Sequence, residues 1–160
     1  MRGDSLFHSH VMDIIIPTAF SAAHYEAVRG LLGQLTTRTI SFTEEDYRKQ
    51  LASPLSPLFL LVDGEAVMGM LTVGIYLSPT GSKAWIEDVV VDNAYRGRGL
   101  GKRLVAHAID YCKEQGIDTL MLTSNPKRIA ANALYQSLGF ERKETNVYRM
   151  KLVCNSENCK

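Results

Sequence analysis

The sequence is short of several things, and each shortage narrows what the chain can be. It carries only three cysteines in 160 residues, Cys112, Cys154 and Cys159, too few for a disulfide framework. Cys154 and Cys159 sit in a polar tail at a separation that matches no zinc pattern with partners nearby, so no metal is expected. Cys112 falls on the expected inner face of a helix, as a small buried hydrophobe. A reducing cytoplasm is the simplest compartment for such a chain. Excess charge is missing too: 18 Lys and Arg against 17 Asp and Glu leave a formal net charge of +1. Nucleic acid has no global field to read here, and no aromatic platform accompanies the local basic cluster. The longest apolar-rich stretch, at residues 66–77, is well below the ~20 residues a membrane helix needs. The opening "MRGDSLFHSH" lacks the apolar core of a signal peptide. No repeat or low-complexity linker divides the chain. The expectation is a disordered leader at 1–11, one domain at 12–153 and a tail at 154–160.

What is present is an alternation of strand and helix patterns. "MDIIIPTAF" reads as a strand ending at Pro17. "SAAHYEAVRGLLGQL" reads as a helix capped by Ser21, with Ala23, Ala27, Leu31 and Leu35 at helical spacing. Gly30 and Gly33 are expected to loosen its second half. "SFTEEDYRKQLAS" reads as a second helix opened by Thr43, with acidic residues in its first turn. Two apolar runs joined by Asp63-Gly64 form a hairpin, and "KAWIEDVVVD" adds a further strand. "GLGKRLVAHAIDYCKEQG" is amphipathic, with Leu100, Leu104, Ala108 and Cys112 inward and Gly116 as its stop. "IDTLMLTSN" is a strand, "RIAANALYQSLGF" a short helix and "TNVYRMKLV" a last strand. The order β-α-α-β-β-β-α-β-α-β-β predicts an α/β (α+β) fold, a mixed sheet with helices on both faces.

The densest feature is "YRGRGLGKRL" at residues 95–104, with three glycines, four cations and no acid. It follows a strand and opens a helix. The first-turn amides of a helix have no intrahelical partner and lie at its positive end, so such a turn suits an anion. Glycines let successive amides converge on it. A P-loop fails twice, because it requires glycine at position 96 and Ser or Thr at 103, where the chain has Arg96 and Arg103. A dinucleotide fingerprint fails as well, at Lys102 in one register and at Leu104 in the other.

With its surroundings the stretch resembles the GNAT superfamily of acetyl-CoA-dependent N-acetyltransferases. Arg96, Gly99 and Gly101 match that family's [Q/R]-x-x-G-x-[G/A] signature, and "VVVDNAYRG" matches the lead-in. "ANALYQSLGF" matches a downstream motif through Asn132, Tyr135, Gly139 and Phe140. The resemblance implies a central sheet of six to seven strands, acetyl-CoA as co-substrate and acetylation of a primary amine on a small molecule or peptide. It admits a homodimer and involves neither a membrane nor nucleic acid. A non-catalytic acyl-CoA-binding regulatory module is the alternative, which would need neither a base nor Tyr135. "IEDVVV" is also similar to aminosugar-phosphate acetyltransferases, a match too short to assign a substrate.

The resemblance also implies roles. Backbone amides of Arg98, Gly99, Leu100, Gly101 and Lys102, with Gly97 in the same turn, hold the pyrophosphate, and Arg96, Lys102 or Arg103 adds charge to it or to the 3′-phosphate. Val89, Val90 and Val91 pair with the pantetheine arm. Asn132 and Asn125 offer amides to it, and Tyr135 protonates the departing thiolate. An amine with a pKa near ~10.4 must lose a proton before it attacks, which calls for a base or a water relay to one. Glu87 and Asp88 are the candidates. Strand alternation puts them on opposite faces, and Glu87 is preferred. Each residue also has a plainer reading. Tyr135 sits in an apolar stripe with Ala131, Leu134 and Leu138. Glu87 and Asp88 read as strand-end charges, and His107 as a solvated residue on the outer helix face.

Overall fold

The structure is a computed structural model that describes residues 12–152. The expected leader, the tail with its two cysteines, and Val153 at the end of the expected last strand lie outside the described residues. Ten elements follow one another: β1 (Asp13–Ile15), α1 (Ala22–Leu35), α2 (Glu44–Leu51), β2 (Leu58–Asp63), β3 (Ala66–Ser78), β4 (Gly81–Val91), a single 3-10 turn (Asn93–Tyr95), α3 (Leu100–Glu114), β5 (Thr119–Leu122) and α4 (Ile129–Ser137). The strands form one sheet in chain order, β1 to β5. Neighbours are antiparallel except β4 and β5, which are parallel. No described helix is long and apolar enough to cross a membrane.

The sheet has a core on each face, and β2 shows why. Its run "LFLLV" sends Leu58, Leu60 and Val62 to one side and Phe59 and Leu61 to the other. An unbroken apolar run is what a strand buried on both faces requires. On the first side Tyr25, Val28 and Leu31 of α1 and Tyr47 of α2 close the core. On the second, Leu100, Leu104, Val105, Ala108 and Cys112 of α3 meet Tyr135 of α4. The expected inner stripe of α3 is therefore the observed one.

α1 departs from expectation in two ways. It runs unbroken to Leu35, with Ser21 accepting the His24 N–H at 3.3 Å as its cap. Gly30 and Gly33 face open space, while Leu31, Leu32 and Leu35 pack into the core from the other side. That burial outweighs the ~1 kcal/mol each glycine costs a helix. The buried stripe is Tyr25, Val28 and Leu31, because the larger side chains take the core and Ala23 is left exposed. In α2, Thr43 and Asp46 form a reciprocal capping box, at 2.9 Å from the Thr43 N–H and 3.2 Å from the Asp46 N–H.

The described sheet has five strands, not six to seven. The element order matches expectation through α4 and then stops, since residues 141–152 form neither strand nor helix. A strand is defined by the neighbour whose backbone it satisfies. The expected final strand has no such neighbour, and it leaves Val147 71%, Tyr148 88%, Met150 81% and Leu152 83% exposed.

Two irregularities shape the sheet where β4 nears its end. Met70 pairs with Val90 but Thr72 pairs with Glu87, so Asp88 and Val89 together oppose Leu71. Asp88 adopts φ 54°, the left-handed region, and the strand bulges there. The extra residue reverses the alternation. Ala84 and Ile86 belong to the α3 core, and beyond the bulge Val90 points into the α1 core while Val89 and Val91 turn toward α3. Gly69 of β3 makes this possible. A Cβ there would lie 2.8 Å from the Val90 carbonyl oxygen and 3.1 Å from Leu104 Cδ1.

The glycines therefore differ in consequence. Gly69→Ala should lower stability by about 1–3 kcal/mol through overpacking against a backbone atom, read as a lower denaturation midpoint. Gly30→Ala and Gly33→Ala, in open helical positions, should each raise it by up to ~1 kcal/mol. Equal stability of the Gly69→Ala variant and the parent would contradict this close approach of β3 to β4.

Candidate functional site

The bulge creates a fork. β5 pairs with β4 only from Lys83–Thr119 to Ile86–Leu122, and β4 continues to Val91 without it. Residues 87–91 thus present one backbone edge that no described strand covers. An extended ligand with amide groups can satisfy such an edge as another strand would. At the end of β5, the Ser124 hydroxyl is buried without a partner. A buried polar group left unpaired is costly, and a ligand entering the fork would relieve it.

At the far end of β4 the chain makes the glycine-rich turn. Gly97 and Gly99 have φ of 76° and 73°, a conformation that favours glycine. Gly99 caps α3 with no side-chain bond, and the first amide bonded inside the helix is that of Arg103, to the Gly99 carbonyl at 3.1 Å. The N–H groups of Leu100, Gly101 and Lys102 are left for an anion at the positive helix end. Gly101 also lets this helix start sit against its neighbours, as its missing Cβ would lie 3.5 Å from Leu134 and 3.8 Å from Val91.

The turn is held by side chains whose role the sequence did not reveal. Asp92 accepts the Ala94 N–H at 2.8 Å and so caps the 3-10 turn. Gln34 of α1 grips the same turn twice: its amide donates to Asp92 Oδ2 at 2.9 Å, and its oxygen accepts the Asn93 N–H at 2.8 Å. These bonds hold the Asp92 carboxyl below its usual range, with the Gln34 bond the largest cause. Arg96 donates from Nε to the Val91 carbonyl at 3.1 Å, which fastens the turn to β4 and leaves its terminal nitrogens free. Arg103, by contrast, is engaged with the Met12 carbonyl and staples β1 to α3. Gln34 and Asp92 are 58 residues apart, and no local motif signals their meeting.

Gln34, Leu35, Val90, Val91, Arg96 and Arg128 line one cavity of about 330 Å³. It joins the end of β4, the turn and the start of α4, and it gathers two guanidinium groups. The Tyr135 hydroxyl has no hydrogen-bond partner among the described residues and is not sealed from solvent. Burial of the ring pushes the phenol above its usual pKa, and the charge of Arg128 works against that rise. Tyr135 is therefore both the core aromatic of the plainer reading, edge-on to Phe140 at 6.1 Å, and a free proton donor near Arg128. Asn132 spends its amide nitrogen on the Asn125 carbonyl at 3.0 Å, and Asn125 spends its side-chain oxygen on the Lys127 N–H at 2.9 Å. What these two residues can still offer a ligand is the Asn132 oxygen and the Asn125 side-chain nitrogen.

Glu87 and Asp88 do not line that cavity; they sit further back along β4, at the bulge. Glu87 is paired with Thr72 and shares its face of the sheet. Thr72 in turn accepts a hydrogen bond from Gln50 of α2 at 3.1 Å. Asp88 is the left-handed residue of the bulge, so simple alternation does not fix its direction. Both side chains reach solvent, yet surrounding protein displaces enough water to push both carboxyls up, and the charge of Asp88 adds to the rise at Glu87. His107 lies exposed on α3 with its ring edge-on to Phe59, away from this chemistry.

A raised carboxyl pKa has a definite consequence for stability. Between the unfolded pKa near ~4 and the higher folded value, the folded state holds the proton more tightly, so stability falls as pH rises through that window. Asp88→Asn should therefore raise the melting temperature at neutral pH. The gain should shrink as pH is lowered through about 4 and vanish below it, where both states are protonated. A gain that does not change with pH would mean that asparagine's tolerance of the left-handed conformation, and not the removed charge, explains it.

Comparison with known proteins agrees with this geometry. The model of the acetyltransferase (GNAT) family matches residues 26–140. A glucosamine 6-phosphate N-acetyltransferase 1 from Oryza sativa subsp. japonica is 30% identical over 131 residues, which cover 74% of this chain and 78% of that protein. A mycothiol acetyltransferase from Renibacterium salmoninarum is 38% identical over 105 residues, or 62% of this chain, and the chain spans only 31% of that relative's length. Among solved structures, an aminoglycoside N-acetyltransferase in complex with CoA has the same fold, with a TM-score of 0.69 at 21% identity over 88% of this chain and 95% of the other. With a family match across most of its length, and the forked sheet, glycine turn and bare helix start all in place, the chain belongs to the GNAT family of acetyltransferases.

Proposed function

We propose that the chain transfers an acetyl group from acetyl-CoA to the primary amine of a small molecule or peptide, by direct attack while both are bound. The observation that carries this reading is the uncovered edge of β4 running into the three unbonded amides of α3. One site offers strand-like pairing to an amide-bearing arm, and the other offers an anion cradle. They are contiguous, as a pantetheine joined to a pyrophosphate demands.

In this reading Val89, Val90 and Val91 bind the arm, and the amides of Leu100, Gly101 and Lys102 bind the pyrophosphate. Gly97 and Gly99 shape the turn, while Arg96, Arg98 and Lys102 add positive charge. The Asn132 oxygen and the Asn125 amide reach the arm from the other wall. Acetyl-CoA supplies the activated thioester. The amine nitrogen bonds to the acetyl carbon, the carbon–sulfur bond breaks, and the sulfur takes a proton from the Tyr135 hydroxyl. The proton the nitrogen then loses to become an amide returns to the Tyr135 oxygen, directly or through water. Glu87 relieves the incoming ammonium of its proton, directly or through water, and burial and the Asp88 charge make it a stronger base than an ordinary carboxylate. Holding amine and thioester together contributes a further share of the rate. An amino sugar is a natural first acceptor to test, since the rice relative is named for one.

Two measurements test this. Acetyl-CoA should raise the melting temperature, as any ligand selective for the native state does, and a panel of primary amines should include at least one that releases free thiol. A thermal shift with no thiol release from any amine would favour a binding module over an enzyme; no shift at millimolar acetyl-CoA would remove the co-substrate itself. Tyr135→Phe should lower kcat about 100-fold or more, the scale of a general acid, with cofactor affinity within a few-fold of the parent. Unchanged kcat would take Tyr135 out of the mechanism.

A further inference from the structure

We infer, resting on the acetyl transfer proposed above, that the sheet face around Trp85 is the platform for the acceptor, and that the acceptor is an amine carried on a ring. α1 and α2 cover only part of their side of the sheet. Their core takes nothing from β3 beyond Met70 and nothing from β4 before Val90. Beyond Thr72, that face of β3, β4 and β5 contributes no residue to either core.

Trp85 occupies this bare stretch. Ala84 and Ile86 belong to the α3 core, so alternation sends Trp85 to the opposite side. It is the chain's one tryptophan, is half-buried and packs into neither core. Its indole N–H has no partner among the described residues and is not sealed from solvent. Gly74 pairs with it from β3, and a Cβ there would meet no atom within 4 Å. Met121 pairs with it from β5 and likewise lies outside both cores. Tyr76 follows Gly74 on the same side and is 42% exposed. A large aromatic beside an empty glycine position, flanked by a thioether and a phenol, is a surface for stacking.

Charge fixes which end receives the amine. Glu87 lies two residues from Trp85 on the same side, about 7 Å along the strand and toward the fork. Its side chain is exposed and forms no ion pair or hydrogen bond among the described residues. In the other direction, Lys83 is bonded to the Thr80 hydroxyl at 2.6 Å. A ring stacked on Trp85 therefore brings to Glu87 a cationic amine held one or two bonds from the ring's edge. The indole N–H remains to donate to an oxygen on the ring, where the ring has one. Amino sugars and arylalkylamines share this chemistry, whereas an open-chain amine or a lysine side chain has no ring to stack.

Trp85 is also the probe, since no other tryptophan contributes to the fluorescence. In the full chain acrylamide should quench it. Glucosamine or phenethylamine should shift it saturably where butylamine does not, and the better of the two tells whether the ring is a sugar or an arene. In the thiol-release assay that ring amine should exceed butylamine and a lysine peptide at least tenfold in kcat/KM. Gly74→Val, which suits a strand and enters open space, should raise the KM of the ring amine about tenfold, the scale of one stacked ring. Its melting temperature and its thermal shift with acetyl-CoA should match those of the parent. Trp85→Ala should raise the KM as much. A tryptophan shielded from acrylamide before any amine is added would overturn the inference, because another segment or copy then covers the face. Fluorescence unmoved by either ring amine, a butylamine or peptide that reacts best, or an unchanged KM in Gly74→Val would overturn it too. A saturable shift with a ring amine but no thiol release from any amine would support the platform and remove the acetyl transfer instead.

Discussion

One backbone defect organises this molecule: the residue that β4 inserts opposite Leu71. A regular β4 would keep its alternation from Ala84 to Val91 and place Val90 with Ile86, on the α3 side. The bulge instead turns Val90 into the α1 core and sends Val89 and Val91 to the face where α3 and α4 begin. It coincides with the point where β5 parts from β4. The open edge, the reversal of faces and the position of the two carboxylates all follow from that single insertion. It is held by tight packing, because Gly69 brings β3 within reach of the Val90 carbonyl and leaves the bulge little room to relax.

The anion cradle rests on the same principle of backbone placed by neighbours. Its charge would suggest that Arg96, Arg98, Lys102 and Arg103 do the binding. The structure assigns much of that charge elsewhere: Arg103 to the Met12 carbonyl, one nitrogen of Arg96 to Val91, and the Arg98 guanidinium over the Tyr95 ring at 5.8 Å. What remains unpaired is the set of amides at the start of α3, fixed in direction and needing no reorganisation to meet an anion. Fixed donors of this kind lose no side-chain entropy on binding, unlike an exposed lysine. Gln34 matters for this reason. By gripping both Asp92 and Asn93 it ties the cradle to α1, across the sheet end from α3, so the turn is braced from both sides.

The legible parts of the sequence were those with a local signature. The α3 stripe, the Thr43 cap, the Asp63-Gly64 hairpin and the glycine turn each depend on residues within one or two turns of one another. The helix in α1 was misjudged because propensity argues from Gly30 and Gly33 alone, while Leu31, Leu32 and Leu35 decide the outcome through tertiary contacts. The bulge could not be read at all. "EDVV" looks like a plain strand, and only pairing with β3 reveals that Asp88 and Val89 share one partner. Gln34, Gly69 and Ser124 were missed for a related reason, since each owes its role to a neighbour distant in the chain. The expected last strand has an alternating pattern, yet, among the described residues, 141–152 pair with no strand, because alternation specifies a face to bury but not the neighbour that completes the sheet.

The two unfinished edges of the sheet express one rule with different answers. Backbone groups along a strand must be satisfied, and a five-stranded open sheet always leaves some that are not. Along β4 the unpaired stretch is short, lies inside the fork and runs into a set of unbonded amides, so a small amide-bearing molecule fits it better than another strand does. Along β5 the outer edge pairs with no described strand, and Leu120, Met121 and Leu122 are half-buried there. The inner edge is thus kept open by the bulge, which no second strand can follow. The outer edge has no such defect to discourage pairing.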